Sequence, residues 1–370
     1  MIKVAFLLGS LNRGGTETLA LDCFNHVEDT EFDLIGIHRN KGDLFNDFQQ
    51  SKVELIQLKP RFLFDLVYLS KLRKAIKKNK IQIIHSHQFL DALYAKLACI
   101  GLSVKHVLTF HGFDFKYSKK AKFLLSLILK KTDLNLYVSN CLKNHYVNKF
   151  QLDLTKQKVV PNGIAWDKFE NSQKSAIRQE LEIESDTLLF GSVGNFVSGR
   201  NQLVLCKFIA LLSNQDLKFK FIFVGSFDGK DKGVYQECID FCTQNNLNDI
   251  VLFLGSRKDV PSILYEIDAF FYASQNDSFG IAVVEAISKA IPVFTNDWES
   301  MKEITKNGEL AFLYKTDDEE DLFLTWDNYF KNKERFLAKI NQNALEVKRK
   351  YDIKNHLNEL NEIYNSLLKK

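Results

Sequence analysis

Short apolar runs alternate with longer segments in which apolar residues recur every three or four positions. The short runs, rich in β-branched and aromatic side chains, predict strands, and the longer segments predict helices. Because parallel neighbours must be joined by a crossover, this alternation predicts parallel α/β sheets. In the first half of the chain the predicted strands are 4–8, 32–37, 53–58, 81–84, 106–110 and 134–138. The helices predicted between them are 18–26, 63–77, 91–100, 121–130 and 140–149.

The same alternation begins again after a turn-forming segment, Pro161-Asn162-Gly163. The pattern therefore predicts two doubly wound sheets in tandem, facing each other across a cleft at the carboxyl ends of their strands. Helices 331–348 and 353–368 end the pattern without a following strand. The second set of predicted strands is 188–193, 219–224, 250–254, 269–272, 292–295 and 311–314.

The composition is typical of a globular protein with two domains. Of 370 residues, 45% are hydrophobic and 26% are charged, which excludes wholesale disorder. The best apolar stretch, residues 123–129, is far too short to cross a bilayer, and the N-terminus lacks a secretory pattern. We therefore expect a cytoplasmic protein. Cys238 and Cys242 share a predicted helix face, but the six scattered cysteines favour buried thiols over a metal site.

The net charge of +4 is unevenly distributed. Residues 1–165 contain 25 Lys and Arg against 14 Asp and Glu, so this half is basic and the remainder acidic. Basic residues cluster in 71–78 and 116–131, and the second cluster encloses an apolar core, as in a helix lying on an anionic bilayer. The alternative is a solvated basic face over a buried helix. Nucleic acid is not expected as a partner, because no recognition fold or aromatic platform accompanies the charge.

The strongest chemical signal is segment 274–286, which follows a predicted strand and opens a helix. Gly280 permits a close backbone approach to a ligand, and amides at a helix N-terminus can bind hydroxyl or anionic oxygens. Asp277 and Glu285 flank this turn, where they could bind hydroxyls of two different sugar rings. The alternative is a helix cap and an ordinary surface glutamate.

Two further glycine-rich segments join a strand to a helix. Segment 191–202 places Arg200 at the first helical turn, where a guanidinium suits a diphosphate. Segment 9–17 forms a similar junction near the N-terminus. Neither matches the dinucleotide fingerprint or the P-loop, so each alone is weak evidence. Three such helix N-termini in two domains, all aimed at one cleft, favour a shared anionic ligand.

In the order and spacing of its motifs, the chain resembles the family 4 glycosyltransferases of the GT-B fold over nearly its whole length. The resemblance implies two Rossmann-like domains, 1–164 with 350–370 for the acceptor and 165–349 for the nucleotide sugar. It also implies that the last helix crosses back to the first domain. The matching pieces are Gly14-Gly15-Thr16-Glu17, Ile84-His85-Ser86-His87, His111-Gly112-Phe113, Val138-Ser139, Pro161-Asn162-Gly163, Gly194 to Arg200, Phe253-Leu254-Gly255 and Asp277 to Glu285.

The activity that the resemblance implies is retaining transfer of a hexose or N-acetylhexosamine from a nucleotide diphosphate sugar. Uridine diphosphate (UDP) is expected as the carrier, with a glycan or lipid-linked acceptor of surface polysaccharide biosynthesis. No cofactor and no metal are expected, since Arg200 and helix N-termini can stabilise the leaving diphosphate. Two other activities remain open: a nucleotide-sugar epimerase, and an inactive scaffold that binds nucleotide sugars.

The resemblance also implies roles for individual residues. The implied catalytic residues are His111 beside the donor sugar, Arg200 at the diphosphate and Asp277 at the sugar hydroxyls. Glu285 would bind the ribose. The other implied donor-binding positions are Gly15 and Thr16 at the diphosphate, Asn195, Arg257 near the base, and the backbone amides of Ser278, Phe279, Gly280 and Ile281.

Three positions depart from the family pattern. Asp277 is one methylene shorter than the usual Glu, Arg200 replaces a Lys, and Asn195 stands in a motif that usually supplies a second cation. These changes leave the identity of the donor sugar open. His85 and His87 are expected to be structural at the end of their strand, and a structural role capping its loop is the alternative for His111.

Overall fold

The computed structural model describes residues 1–62, 64–170, 176–227 and 232–369. The chain divides into two compact units, the first made of residues 1–165 and of the chain from Tyr351 onwards. The second unit is Trp166–Lys350. Both boundaries lie one residue later than the sequence predicts. Each unit is built on one parallel sheet.

The first unit contains, among its described residues, a seven-stranded sheet in the order β3-β2-β1-β4-β5-β6-β7. Its strands are β1 (Ile2–Leu8), β2 (Phe32–His38), β3 (Glu54–Gln57), β4 (Ile83–Ser86), β5 (Lys105–Phe110), β6 (Leu134–Tyr137) and β7 (Gln157–Val159). The helices that connect them are α1 (Gly15–His26), α2 (Phe45–Gln50), α3 (Leu66–Lys78), α4 (Phe89–Ala98), α5 (Lys119–Lys131) and α6 (Asn140–Phe150).

The described part of the second unit contains a six-stranded sheet in the order β10-β9-β8-β11-β12-β13. Its strands are β8 (Leu188–Val193), β9 (Phe219–Val224), β10 (Val251–Phe253), β11 (Ala269–Tyr272), β12 (Val293–Asn296) and β13 (Phe312–Tyr314). Its helices are α7 (Asp167–Glu170), α8 (Ile177–Glu180), α9 (Gln202–Leu212), α10 (Lys232–Gln244), α11 (Val260–Ile263), α12 (Ile281–Ser288), α13 (Glu299–Ile304), α14 (Glu319–Lys331) and α15 (Lys333–Lys350).

Both faces of the first sheet are buried. Val4, Phe6 and Leu8 of β1 belong to a core that includes α1, whereas Ala5 and Leu7 belong to a core that includes α3 and α4. Successive side chains of a strand point to opposite faces, so two covered faces require a continuous apolar run. This is why the strands appear in the sequence as unbroken apolar segments.

Aromatic rings fill the core of the second unit. Phe271 of β11 lies against Phe190, Phe294 and Trp326, with ring centroids 5.5, 4.9 and 5.7 Å away. Such offset and edge-on contacts add to the free energy gained by burying the rings. The strand ends that carry the candidate site therefore rest on a packed aromatic core.

The last helix, α16 (Ile353–Leu368), packs on the first unit, as the resemblance implies. Just before α16 the chain passes next to Ile164, whose N–H donates a hydrogen bond to the carbonyl of Tyr351 at 2.8 Å. A Cβ on Gly163 would lie 2.7 Å from that of His356, so glycine is required where the two segments cross. None of the helices in the described ranges is both long and apolar enough to span a bilayer.

Most predicted elements of the first unit differ from the observed ones only at their ends, but helix α2 and one strand were not predicted. Strand β7 was not predicted, because it is short and only half buried and so lacks an apolar run. Residue 63, where a helix was predicted to begin, lies outside the described residues. Helix α3 begins at Leu66, because the Asp65 carboxylate accepts the N–H groups of Val67 and Tyr68 and so caps it.

Replacing Leu360 with Ala tests how strongly the returning helix stabilises the first unit. Leu360 is fully buried in the core shared with α1, so we expect the free energy of unfolding to fall by about 2–5 kcal/mol. Urea unfolding at constant pH measures the change. The control is Leu345→Ala, since Leu345 is 68% exposed. Equal midpoints for the two variants would contradict this role of α16.

Candidate functional site

The order of strands in the second sheet reverses between β8 and β11. Loops that follow two such strands run in opposite directions and leave a crevice, which is where doubly wound sheets bind ligands. Here they are the β8 loop, residues 194–201, and the β11 loop, residues 273–280. Both carry residues that the sequence marks as functional.

The β8 and β11 loops are bonded to each other. The carbonyl of Gly199 accepts the N–H of Gln275 at 2.8 Å and the hydroxyl of Ser274 at 3.2 Å. Gly199 has a φ of +98°, and a Cβ there would lie 1.8 Å from the side-chain nitrogen of Asn276. Glycine is therefore required for this close approach.

Asp277 occupies the centre of the contact between the loops. Its Oδ1 accepts the N–H groups of Phe279 at 3.1 Å and Gly280 at 3.0 Å. Its Oδ2 accepts Nη2 of Arg200 at 3.2 Å and the hydroxyl of Tyr272. The structure thus brings together Arg200 and Asp277, two of the three predicted catalytic residues. Their side chains are 22% and 15% exposed, so the ion pair is shielded from bulk water but still accessible.

These bonds change the expectation for the backbone amides. The amides of Ser278 to Ile281 were predicted to bind the donor, but those of Phe279 and Gly280 donate to Asp277. Asp277 therefore closes the turn before α12. It is not the helix cap that the sequence left open as the alternative, because the N-cap of α12 is Gly280, without a side-chain cap bond. Gly280 has a φ of +83°, and a Cβ there would lie 2.6 Å from Cε of Met301.

Residues that the sequence interpretation missed hold the backbone of the β11 loop. The indole of Trp298 and the hydroxyl of Ser300 donate to the carbonyl of Asp277 at 3.1 and 2.6 Å. The side chain of Asn296 accepts the N–H of Ser274 at 3.0 Å and donates to its carbonyl at 2.8 Å. Polar residues at and just after the end of β12 were a usable signal, since that strand neighbours β11.

Tyr272, the last residue of β11, was also missed. Its ring lies 4.8 Å from the guanidinium carbon of Arg200, and its hydroxyl donates to Asp277. Burial raises the pKa of Tyr272 well above its usual range, so the hydroxyl keeps its proton. In the sequence it ends an apolar strand, where a tyrosine is ordinary.

Two further polar donor-binding candidates of this unit lie on the β8 loop and on α12. Asn195 is exposed in the β8 loop, and its side-chain oxygen accepts the N–H of Ser226 at 2.9 Å. Glu285 lies on α12, one turn beyond Ile281, and is half-buried. Its predicted contact with a ribose stays a prediction.

Arg257 is engaged elsewhere. Its guanidinium donates to both carboxylate oxygens of Glu180, at 2.6 and 2.9 Å, and to both of Asp259, at 2.9 and 2.8 Å. These bonds join the end of α8 to the loop before α11. The Arg257 side chain is therefore paired with two carboxylates. Its predicted contact with the base of the nucleotide stays a prediction.

In the first sheet, the strand order reverses between β1 and β4. Helix α1 begins there with Gly15, which is exposed, and Thr16, which is half-buried. Behind them lies a buried polar group in which Nε of Arg39 donates to Asp91 at 2.7 Å. Burial raises the pKa of Asp91 and that of Glu17. The acidic side chains of Glu17 and Asp91 thus lie behind the exposed start of α1. The cation among them, Arg39, is already paired with Asp91.

His111 follows β5 and stands at the end of a row of stacked imidazoles. Its Nε2 lies 3.1 Å from Nδ1 of His87, and the ring of His85 stacks on His87 with centroids 4.4 Å apart. The ring nitrogens of His85 lie 2.6 Å from the hydroxyls of Tyr364 and Thr109, so His85 ties α16 to the sheet. Burial lowers the pKa of His111 to about 3 and those of His85 and His87 well below their usual range.

Two family models match the chain, and together they span most of it. Residues 13–168 match the model described as glycosyltransferase family 4. Residues 173–347 match the model described as glycosyl transferases group 1. The two matches correspond closely to the two units.

The relatives found by sequence are similar at low identity over most of their length. One is an Escherichia coli UDP-Gal:alpha-D-GlcNAc-diphosphoundecaprenol alpha-1,3-galactosyltransferase, 25% identical over 86% of this chain and 85% of its own. Another is the Staphylococcus aureus capsular polysaccharide biosynthesis glycosyltransferase CapH, 24% identical over 99% of each chain.

Solved structures of similar fold cover the whole chain. A glycosyltransferase from Rickettsia africae aligns with a TM-score of 0.87 and 20% identity over 100% of this chain and 99% of that one. Anabaena HepE, in complex with UDP and glucose, aligns with a TM-score of 0.88 and 16% identity over 99% and 100%. At these identities the likeness shows the fold, two Rossmann-like units of the GT-B type.

The buried histidines predict how stability depends on pH. His38, His85, His87, His106, His111 and His356 all have a pKa lowered by burial. They are neutral when folded but titrate near 6.5 when unfolded, so their stabilising contribution is present above pH 6.5 and lost as the pH falls towards 3. Between pH 6 and 5 each should lower the free energy of unfolding by up to about 1.4 kcal/mol.

Urea midpoints at pH 7.5, 6 and 5 test this dependence. His106→Gln removes one of the six groups, so unfolding should take up one proton fewer and the free energy of unfolding should depend less steeply on pH. A stability that is constant between pH 7.5 and 5 would contradict the burial of neutral imidazoles.

Proposed function

Because the chain is a glycosyltransferase of the family 4 type with the GT-B fold, we propose that it transfers a hexose or N-acetylhexosamine from a UDP-sugar with retention of configuration. The proposed acceptor is a glycan or a lipid-linked saccharide of surface polysaccharide biosynthesis. The single observation that carries the proposal is the cation of Arg200 held at the switch point of the second sheet. The names of the E. coli and S. aureus relatives and the UDP bound to HepE support the choice of donor and acceptor.

Arg200 is proposed to stabilise the leaving diphosphate. Departure of UDP places negative charge on its β-phosphate, and a fixed cation lowers the energy of that charge most where water is partly excluded. The guanidinium has five N–H donors pointing in different directions, so it can bond to Asp277 and to a phosphate oxygen together. We propose that this cation and the start of α1, at Gly15 and Thr16, act without a divalent metal.

His111 is proposed to contact the reacting sugar as a neutral group. Its pKa of about 3, lowered by burial, leaves it uncharged at pH 7, so it can donate or accept one hydrogen bond there. It therefore positions a hydroxyl and does not supply a charge. The bond between His111 and His87 holds the ring in place.

Replacing Arg200 with Gln tests the proposed role of the cation. We expect kcat/KM for sugar transfer from UDP-sugars to fall by about 100-fold or more, as when one transition-state donor is removed. The control is Arg178→Gln, since Arg178 is ion-paired with Asp268 in the same unit and its side chain is similarly exposed, at 23%. EDTA should leave the wild-type rate unchanged, and the product should keep the donor's anomeric configuration by NMR.

The same assay separates the two other activities. Interconversion of UDP-sugars without an acceptor would indicate an epimerase. Tight binding of a UDP-sugar with no transfer to any acceptor extract would indicate an inactive scaffold. A transfer rate that Arg200→Gln leaves within threefold of the wild type would refute the proposed mechanism.

The proposed lipid-linked acceptor agrees with the surface of α5. This helix buries Leu125, Ile128 and Leu129 but leaves Phe123 and Leu127 exposed, at 69% and 41%. Lysines at both ends of the helix surround these two side chains, the exposed ones being Lys119, Lys120, Lys130 and Lys131. Apolar side chains among lysines suit a bilayer surface that contains anionic lipid. We propose that this helix contacts the membrane that carries the acceptor.

Vesicle co-sedimentation tests the membrane contact. Vesicles containing phosphatidylglycerol should bind the protein, and vesicles of phosphatidylcholine alone should bind it less. The double variant Phe123→Ser, Leu127→Ser should lower the affinity at least about tenfold, because two apolar side chains no longer enter the bilayer. The control is Phe330→Ser, Leu345→Ser, which changes two exposed apolar residues of the second unit. Binding that is indifferent to lipid charge would refute the contact.

A further inference from the structure

We propose that Tyr272 and Asp277 form a positioning unit for the guanidinium of Arg200, and that Asp277 does not itself bind hydroxyls of the donor sugar. This inference rests on the proposed function, since it assumes that Arg200 meets the diphosphate of the donor. It changes the role that the resemblance implies for Asp277, and it adds Tyr272 to the residues on which donor binding depends.

The hydrogen-bonding capacity of the Asp277 carboxylate is already used by the protein. A carboxylate has about four acceptor positions, two on each oxygen. Oδ1 accepts two backbone amides, and Oδ2 accepts the Tyr272 hydroxyl and the Arg200 guanidinium. A sugar hydroxyl could bond to this carboxylate only by displacing one of these donors. Displacing the amide of Gly280 would leave a buried N–H without its partner, which costs about 1–3 kcal/mol.

The backbone around Asp277 keeps the carboxylate in this position. Trp298 and Ser300 both donate to its carbonyl, and the N–H of Asp277 donates to the hydroxyl of Ser274 at 3.1 Å. Both ends of the residue are therefore held, and the side chain is only 15% exposed. The carboxylate cannot turn towards a ligand without breaking the turn before α12.

Arg200, in contrast, is held on only some of its sides. One edge of its guanidinium donates to Asp277, and one face lies over the ring of Tyr272. Its Nη1 lies so close to Gly194 that a Cβ there would come within 2.3 Å. These contacts restrict the orientation of the guanidinium while it remains partly exposed. A cation oriented in advance binds a diphosphate without the cost of ordering a free side chain.

Tyr272 contributes through both its hydroxyl and its ring. The residue is 1% exposed, so its hydroxyl cannot exchange Asp277 for bulk water. Its carbonyl accepts the hydroxyl of Tyr314 at 2.8 Å, which fixes the end of β11. Removing the Tyr272 hydroxyl would remove one of the two hydrogen-bond donors to Oδ2 of Asp277. The carboxylate would then be held less firmly, and so would the guanidinium that is bonded to it.

Calorimetric titration with two ligands distinguishes a positioning role from a sugar-binding role. The probes are UDP, which has no sugar beyond the ribose, and the UDP-sugar that binds best among UDP-glucose, UDP-galactose and their N-acetylated forms. If Asp277 positions Arg200, Asp277→Asn weakens both probes by the same factor, which we expect to be about tenfold. Tyr272→Phe weakens both by about threefold to tenfold, with the ratio of the two affinities preserved.

Matched controls account for general effects on the fold. Asp268→Asn removes an acid that is also bonded to an arginine and a backbone amide, at 2.8 and 2.7 Å, away from the β8 and β11 loops. Tyr137→Phe removes a buried tyrosine hydroxyl in the first unit, where it donates to Gln157 at 2.8 Å. Both variants should bind the two probes as the wild type does.

A conservative exchange provides a second test if Asp277→Asn does not fold. Asp277→Glu lengthens the acid and Arg200→Lys shortens the cation, so each alone should weaken UDP binding, and the double variant should recover part of that loss. Losses that simply add would overturn the proposed unit. So would an Asp277→Asn variant that binds UDP normally but the UDP-sugar poorly, since that is the behaviour of a sugar ligand.

The outcome for the wild type separates this inference from the proposed function. If the wild type binds no UDP and no UDP-sugar, the proposed function is wrong and this inference is overturned with it. If the wild type binds both probes and Tyr272→Phe changes neither affinity, only this inference is overturned.

Discussion

The bonds of the Asp277 carboxylate are the constraint on which the second unit's site depends. Strands β8 and β11 are neighbours in the sheet, but their loops leave it in opposite directions, so the sheet's own hydrogen bonds do not hold the loops together. One oxygen of Asp277 closes the turn before α12, and the other reaches Arg200 in the β8 loop. A charge-assisted bond that is shielded from solvent is stronger than a surface ion pair. The crevice is therefore shaped around a cation before a ligand enters.

This arrangement determines which groups remain for chemistry. Two of the amides just before α12 are bonded to Asp277, so under the proposed function the binding of a diphosphate depends more heavily on Arg200 than the sequence motif suggests. A guanidinium suits that task, because it can use one edge for a carboxylate and another for a phosphate, whereas an ammonium is a point charge without a preferred edge. Arg200 stands where the resemblance implies a Lys, and Asp277 stands where it implies a Glu. The two departures compensate each other in length. A shorter acid needs a longer cation to close the same distance.

The sequence was sufficient to predict the fold, because the apolar runs that form buried parallel strands can be recognised in short stretches of the chain. Alternating apolar runs predicted both sheets, and β7 was missed only because its three residues are half-buried. The site was predictable where a motif carries its own geometry, as at Gly280 and Asp277. It was not predictable where the partner comes from a distant part of the chain without such a signal, as where Glu180 meets Arg257 across 77 positions. Such pairings depend on side-chain positions in three dimensions, which spacing along the chain does not contain.

The positive charge of the first unit lies on different kinds of elements from Arg200 of the second unit, and it has a different consequence. Lysines cluster on helices α3 and α5, whereas the residues around His111 are imidazoles kept neutral by burial, and the cation of Arg39 is paired with Asp91. Charge at exposed helices acts over about a Debye length and attracts an anionic surface, but it does little for a bond that breaks in a shielded site. A neutral histidine can orient a hydroxyl without attracting a competing anion. Under the proposed function, the basic helices of the first unit would therefore hold the enzyme at a membrane, and Arg200 in the second unit would act on the bond that is broken.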